Sequence, residues 1–141
     1  MFTIAVFPNV DKEEAGGVLK RIIDFCAKRP VQLVLPIEEA LFFGCEEYGR
    51  QDIDDCPLDM GLSIGGDGTL LGVSRRLYER NIPVCGINIG TVGFLADIEL
   101  VELESKLEKI LSGEYRIEER MVLAGSVEND GYSRFLGHAI N

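Results

Sequence analysis

Four short apolar runs, at residues 2–7, 31–35, 60–64 and 82–87, constrain this chain more than any other feature. Each is too short for a buried helix, and each lacks the polar alternation of a strand with one wet face. Runs of this kind suit strands covered on both sides. Between them the pattern switches to helical spacing, first through Val18, Ile22, Phe25 and Cys26 and later through Leu70, Val73 and Leu77. Strand, helix, strand, helix in that order predicts an α/β fold, a parallel sheet with helices on both faces.

Local signals place the boundaries. Pro8-Asn9 stops the first strand, and Asp11 with Glu14 three residues later predicts a capped helix from about Lys12 that ends before Pro30. A short helical segment is expected at 37–43. Residues 46–59 carry Glu46, Glu47, Asp52, Asp54, Asp55 and Asp59 against the single Arg50, and read as a solvated acidic loop without the spacing of a calcium loop. Asp97 is expected to cap a helix with Leu100, Leu103, Leu107 and Ile110 inward, a Glu102–Lys106 pair outside, and Gly113 as its stop. Residues 115–127 and 132–140 then read as a hairpin turning at 128–131. A lone hairpin is marginal in water, so the architecture reads as cut mid-domain at Asn141.

Charge narrows the function. With 24 acidic and 14 basic residues the net charge is −10, which disfavours nucleic acid and anionic lipid as partners. No apolar stretch is long enough to span a membrane, and residues 1–6 lack the basic flank and cleavage site of a secretory leader, so a soluble, cytoplasmic protein is expected. Cys26, Cys45, Cys56 and Cys85 form no C-x-x-C pair and read as free thiols, with Cys26 and Cys85 in the core. His138 is the single histidine, so a nucleophile–histidine triad has no other base to use.

Chemistry concentrates in two loops. Gly65-Gly66-Asp67-Gly68-Thr69 follows the third strand and precedes the helix expected from Leu70. Glycines there allow bare amides to approach an anion, and the helix turns its positive end to the same place. A plain Gly-Asp turn is the competing reading, weakened by the strand before and the helix after. Residues 88–97, Asn-Ile-Gly-Thr-Val-Gly-Phe-Leu-Ala-Asp, follow the fourth strand and emerge on the same sheet edge, where open α/β sheets bind ligands. Phe94 suits either a ligand wall or a core.

Taken together, Ile64-Gly65-Gly66-Asp67-Gly68-Thr69-Leu70-Leu71 and Gly86-Ile87-Asn88-Ile89-Gly90-Thr91-Val92-Gly93-Phe94-Leu95-Ala96-Asp97 resemble the NAD kinase family. The first motif is shared with lipid kinases; the second is more specific. The resemblance implies a Rossmann-like nucleotide-binding domain over residues 1–98, with residues 99–141 the connecting helix and the start of a truncated β-rich domain. It implies phosphorylation of the adenosine-ribose 2′-hydroxyl of NAD, giving NADP, with ATP or polyphosphate as donor and Mg2+ or another divalent cation as cofactor. Asp67 would be the catalytic aspartate. Gly65, Gly66, Gly68 and Thr69 would meet phosphates, while Asn88, Gly90, Gly93 and Phe94 would lie against the dinucleotide. Asn141 would begin the motif that binds the NAD ribose and adenine. No residue is assigned to a metal. Small nucleotides are the implied partners, the intact protein is expected to be a homo-oligomer, and the 141 residues alone to be inactive.

Three rivals remain open on the sequence. A hydride-transferring oxidoreductase would need a glycine fingerprint after the first strand, where Pro8-Asn9-Val10-Asp11 stands instead. A lipid kinase would want a basic amphipathic face, which is missing. A non-catalytic dinucleotide-binding fragment is the third.

Overall fold

Alternating side chains of the first strand divide the interior into two cores. In a computed structural model describing residues 1–91 and 93–140, strand β1 (Phe2–Pro8) sends Ile4 and Val6 into one core and Ala5 and Phe7 into the other. Helix α1 (Ala15–Cys26) covers the first with Val18, Leu19, Ile22 and Phe25. The chain continues through β2 (Val31–Pro36), α2 (Ile37–Phe42), the two-residue β3 (Gly49–Arg50) and β4 (Met60–Gly65). Helix α3 (Asp67–Leu77) covers the second core with Val73 and Leu77. Strands β5 (Val84–Asn88) and β6 (Ile98–Glu99) follow, then α4 (Leu103–Leu111), whose Leu103, Leu107 and Ile110 join α1 on the first face.

The six strands are all parallel, in the order β3-β2-β1-β4-β5-β6. That order reverses between β1 and β4, and a crevice forms outside the strand ends at such a reversal. Pro8 pairs in register with Ile64, so the turn after β1 and the glycine loop after β4 leave the sheet side by side.

Several boundaries differ from the sequence reading. Helix α1 starts at Ala15, and neither Asp11 nor Glu14 caps it. Asn9 intervenes: its Oδ1 accepts the Asp11 amide at 3.0 Å and its carbonyl accepts the Lys12 amide at 3.2 Å, so residues 9–14 form turns before the helix can begin. Asp97 caps nothing. Its amide donates to the Gly86 carbonyl, and the chain runs as β6 alongside β5 before a one-turn 3₁₀ segment, Leu100–Glu102, leads into α4. Glu102 therefore precedes α4 and makes no ion pair with Lys106. The carboxylates of α4 reach across to α1, with Arg21 on Glu104 at 2.7 Å and Arg29 on Glu108 at 2.6 Å. The acidic loop also holds more than solvent, since it contributes β3 and buries Ile53 under α3.

Residues 115–121 form no strand. The hairpin comprises β7 (Val122–Asn129) and β8 (Tyr132–Ile140), joined through Asp130 and Gly131, both at positive φ as a type I′ turn requires. Tyr78, just past α3, anchors it through a 2.9 Å contact between its hydroxyl and His138 Nε2. Among the described residues no helix is long and apolar enough to cross a membrane. All four thiols are free; burial pushes Cys85 up to about 12 and Cys26 up to about 11, which leaves both protonated near neutrality.

Candidate functional site

Gly66 is extended and Asp67 is already the first residue of α3, three positions earlier than the apolar stripe suggested. Opening turns of a helix leave amides without intrahelical partners. Added Cβ atoms at Gly66 and Gly68 would meet nothing within 4 Å, so this end of α3 presents bare backbone to open space. Gly65 is constrained differently: a Cβ there would run into the Thr69 side chain, which folds back over it. Thr69 Oγ1 in turn accepts a hydrogen bond from Asn9 Nδ2 at 3.1 Å.

The second loop closes onto the first. The Ile89 amide donates to the Gly65 carbonyl at 2.9 Å, Gly90 turns at φ +86°, and the amides of Phe94 and Leu95 donate to the two Asp67 carboxylate oxygens at 2.9 and 3.1 Å. Gly93 makes this approach feasible, because a side chain at that position would collide with the Asp67 carboxylate. The Phe94 amide, then the Leu95 amide, hold the Asp67 carboxyl below its ordinary value, since both hydrogen bonds favour the ionised form. The site carboxylate is thus charged at neutral pH and fixed between the loops.

The expected site residues therefore converge, with two qualifications. Phe94 is 99% exposed, which removes the core reading of that ring. Asn88 is buried beneath the loop, 7% exposed, and its Oδ1 has no hydrogen-bond partner among the described residues. Asn141 lies outside the described residues. Asn9, which the sequence marks only as the stop of the first strand, also touches the glycine loop, and an asparagine at a strand's carboxyl end is the one signal of this that the sequence carries. No group of three or more His, Cys, Asp or Glu side chains converges as a metal cage among the described residues. A groove of about 1190 Å³ lies between α3, β5, α4 and residues 114–122; Leu95 and Asp97 of the second loop line it, but Asp67 and the glycine loop do not.

Comparison with known proteins decides the family. Residues 26–115 match the ATP-NAD kinase N-terminal domain. This chain belongs to the NAD kinase family. A NAD kinase of Delftia acidovorans is 39% identical over 135 residues, covering 94% of this chain and 45% of the relative. A NAD kinase of Moorella thermoacetica is 38% identical over 128 residues, covering 91% and 41%. The chain thus spans less than half the length of these curated NAD kinases. Among solved structures, an Archaeoglobus fulgidus NAD kinase in complex with ATP superposes with a TM-score of 0.62 at 26% identity, covering 87% of this chain and 42% of that one. Yeast NADH kinase complexed with NADH gives a TM-score of 0.82 over 99% of this chain and 46% of that one; at 17% identity it speaks for the fold alone.

Proposed function

We propose that this chain supplies the phosphate-loop half of an NAD kinase, which transfers a phosphoryl group from ATP or polyphosphate to the adenosine-ribose 2′-hydroxyl of NAD and yields NADP. One observation carries the reading: both family loops converge on a single ionised carboxylate, Asp67, at the N-terminus of α3. In this reading residues 1–98 are the nucleotide-binding domain, and residues 99–141 lead into a β-rich domain. The change from a parallel sheet to a separate two-stranded antiparallel sheet supports that division.

A secondary alcohol is a weak nucleophile. Asp67 would accept its hydrogen bond, orient the oxygen toward the terminal phosphorus, and take the proton as the new O–P bond forms and the bond to the departing phosphate chain breaks. Phosphoryl transfer through a loose transition state places small demands on the base, so a carboxylate of depressed pKa suits an orienting role. Gly65, Gly66, Gly68 and Thr69 would hold donor phosphates through amides and one hydroxyl. Asn88 would support the loop from below, and Gly90, Gly93 and Phe94 would face the dinucleotide, with the exposed Phe94 ring as a platform for the adenosine. Asn141 would bind the ribose and adenine region.

A magnesium ion arriving on the donor phosphates would keep most of its waters, so the site need not supply a protein cage for it. Bound there, the ion would offset phosphate charge. A cytoplasmic, homo-oligomeric whole protein that avoids nucleic acid and membranes belongs to the same proposal; the charge of −10 supports the last two exclusions.

The test is NADP formation by the whole protein from NAD, ATP and magnesium. Asp67→Asn should lower turnover by roughly 10²- to 10⁴-fold with little effect on NAD affinity. Near-parental turnover would remove Asp67 from the chemistry. The 141-residue chain alone should form almost no NADP.

A further inference from the structure

Asn9 lies outside both glycine-rich motifs, yet it touches the phosphate loop directly. It leaves β1 at the point where the strand order reverses, and its backbone amide donates to the Ile64 carbonyl at 2.9 Å, holding it beside the start of the glycine loop. Its side chain is held at both ends. Oδ1 accepts the Asp11 backbone amide at 3.0 Å, and Nδ2 reaches Thr69 Oγ1 at 3.1 Å.

The Asp11 contact settles which end of the amide is which. A backbone N–H can only donate, so the atom facing Asp11 must be the oxygen, and the atom facing Thr69 must be the NH2 group. An NH2 group can only donate to Thr69. The threonine oxygen is therefore the acceptor in that bond, and its own hydrogen has to point elsewhere. Among the described residues nothing accepts it. Packing against Gly65 fixes the rest of the Thr69 side chain, and the next acceptor to arrive would be an anion at the bare amides of Gly66 and Gly68.

We propose that Asn9 is a positioning residue that sets the polarity of the Thr69 hydroxyl, committing it as a hydrogen-bond donor to the phosphate bound at the N-terminus of α3. The inference rests on the phosphate site proposed above and adds to it a residue that does not itself touch the ligand. Its chemical signature is directional. Replacing Asn9 by aspartate keeps the shape and the Asp11 contact but turns the donor facing Thr69 into an acceptor. The hydroxyl hydrogen then rotates toward the carboxylate and away from the phosphate.

Calorimetric titration of the 141-residue chain with tripolyphosphate, with backbone amide shifts at residues 66–69 as the second readout, tests this in a double-mutant cycle. Asn9→Asp should weaken binding through added charge and through reversed polarity, whereas in a Thr69→Val background only the charge effect remains. The expected signature is an excess loss of roughly tenfold when the hydroxyl is present, about the worth of one hydrogen bond to a charged group. Thr69→Ser should retain that excess. A second cycle covers poor folding of the aspartate variant: Asn9→Ala should cost about threefold to tenfold with Thr69 present and little with Thr69→Val. Additive losses in both cycles would overturn the polarity assignment while leaving the phosphate site standing. Failure of the parent chain to bind tripolyphosphate would overturn both.

Discussion

Two backbone amides decide how Asp67 behaves as an acid. Phe94 and Leu95 donate to its oxygens, favour the charged form and hold the folded-state pKa below the ordinary aspartate value of about 3.9. The contact therefore contributes stability that is full above the unfolded pKa and is lost as pH falls through the depressed folded value. Carboxyl-carbon NMR of the folded chain should show Asp67 titrating below about 3.9. Gly93→Ala, which puts a methyl group into the carboxylate's space, should move the midpoint upward as the amides withdraw. An unchanged midpoint would mean the amides do not hold the carboxylate. Much of this site was legible in sequence, because glycine spacing and a strand-to-helix junction are local signals. The Asp67 bonds to residues 94 and 95 and the Asn9 bond to Thr69 span 27, 28 and 60 positions, and no local pattern encodes them.

Helix α3 aims the loop, and the closeness of its packing on β4 sets the aim. A Cβ at Gly61 would lie 2.7 Å from Leu77 Cδ1, so the helix approaches the strand backbone with Leu77 fully buried between them. Leu77→Ala should cost about 2–4 kcal/mol through lost burial and a cavity, read as a lower denaturation midpoint at unchanged m value. The loop rides on the first turn of the same helix, so tripolyphosphate affinity should fall with it in the folded fraction. Elements with strong apolar patterns, β1, β2, β4, β5, α1 and α3, were readable from their side chains. The starts of α1 and α4 were not, because backbone hydrogen bonds made by Asn9 and Gly86 carry the chain through turns and through β6 first. Two-residue strands such as β3 and β6 exist only by pairing with a neighbour and leave no pattern of their own.

On the scale of the whole molecule, protection from solvent should be sharply uneven. The parallel sheet is covered on both faces, and β1 and β4 are buried along almost their whole length. Among the described residues, strands β7 and β8 pair only with each other, and they expose Leu123, Val127, Tyr132, Phe135 and Leu136. Two strands without a covered apolar face are marginal in water, and local opening is cheapest where few buried contacts would be lost. A tilted ring contact and a hydrogen bond between His138 and Tyr78 tie the hairpin to the end of α3. Hydrogen exchange of the 141-residue chain should therefore show amides of β7 and β8 exchanging at least about a hundredfold faster than those of β1, β4 and β5. Tyr78→Phe, which removes the hydroxyl and keeps the ring, should speed the hairpin further and leave the sheet unchanged. If a β-rich domain builds on the apolar side chains open here, as proposed above, the same amides should slow toward the values of the sheet in the longer protein. Equal protection of hairpin and sheet in the 141-residue chain would show that β7 and β8 need no further cover, and the domain division proposed for residues 99–141 would lose its physical motive.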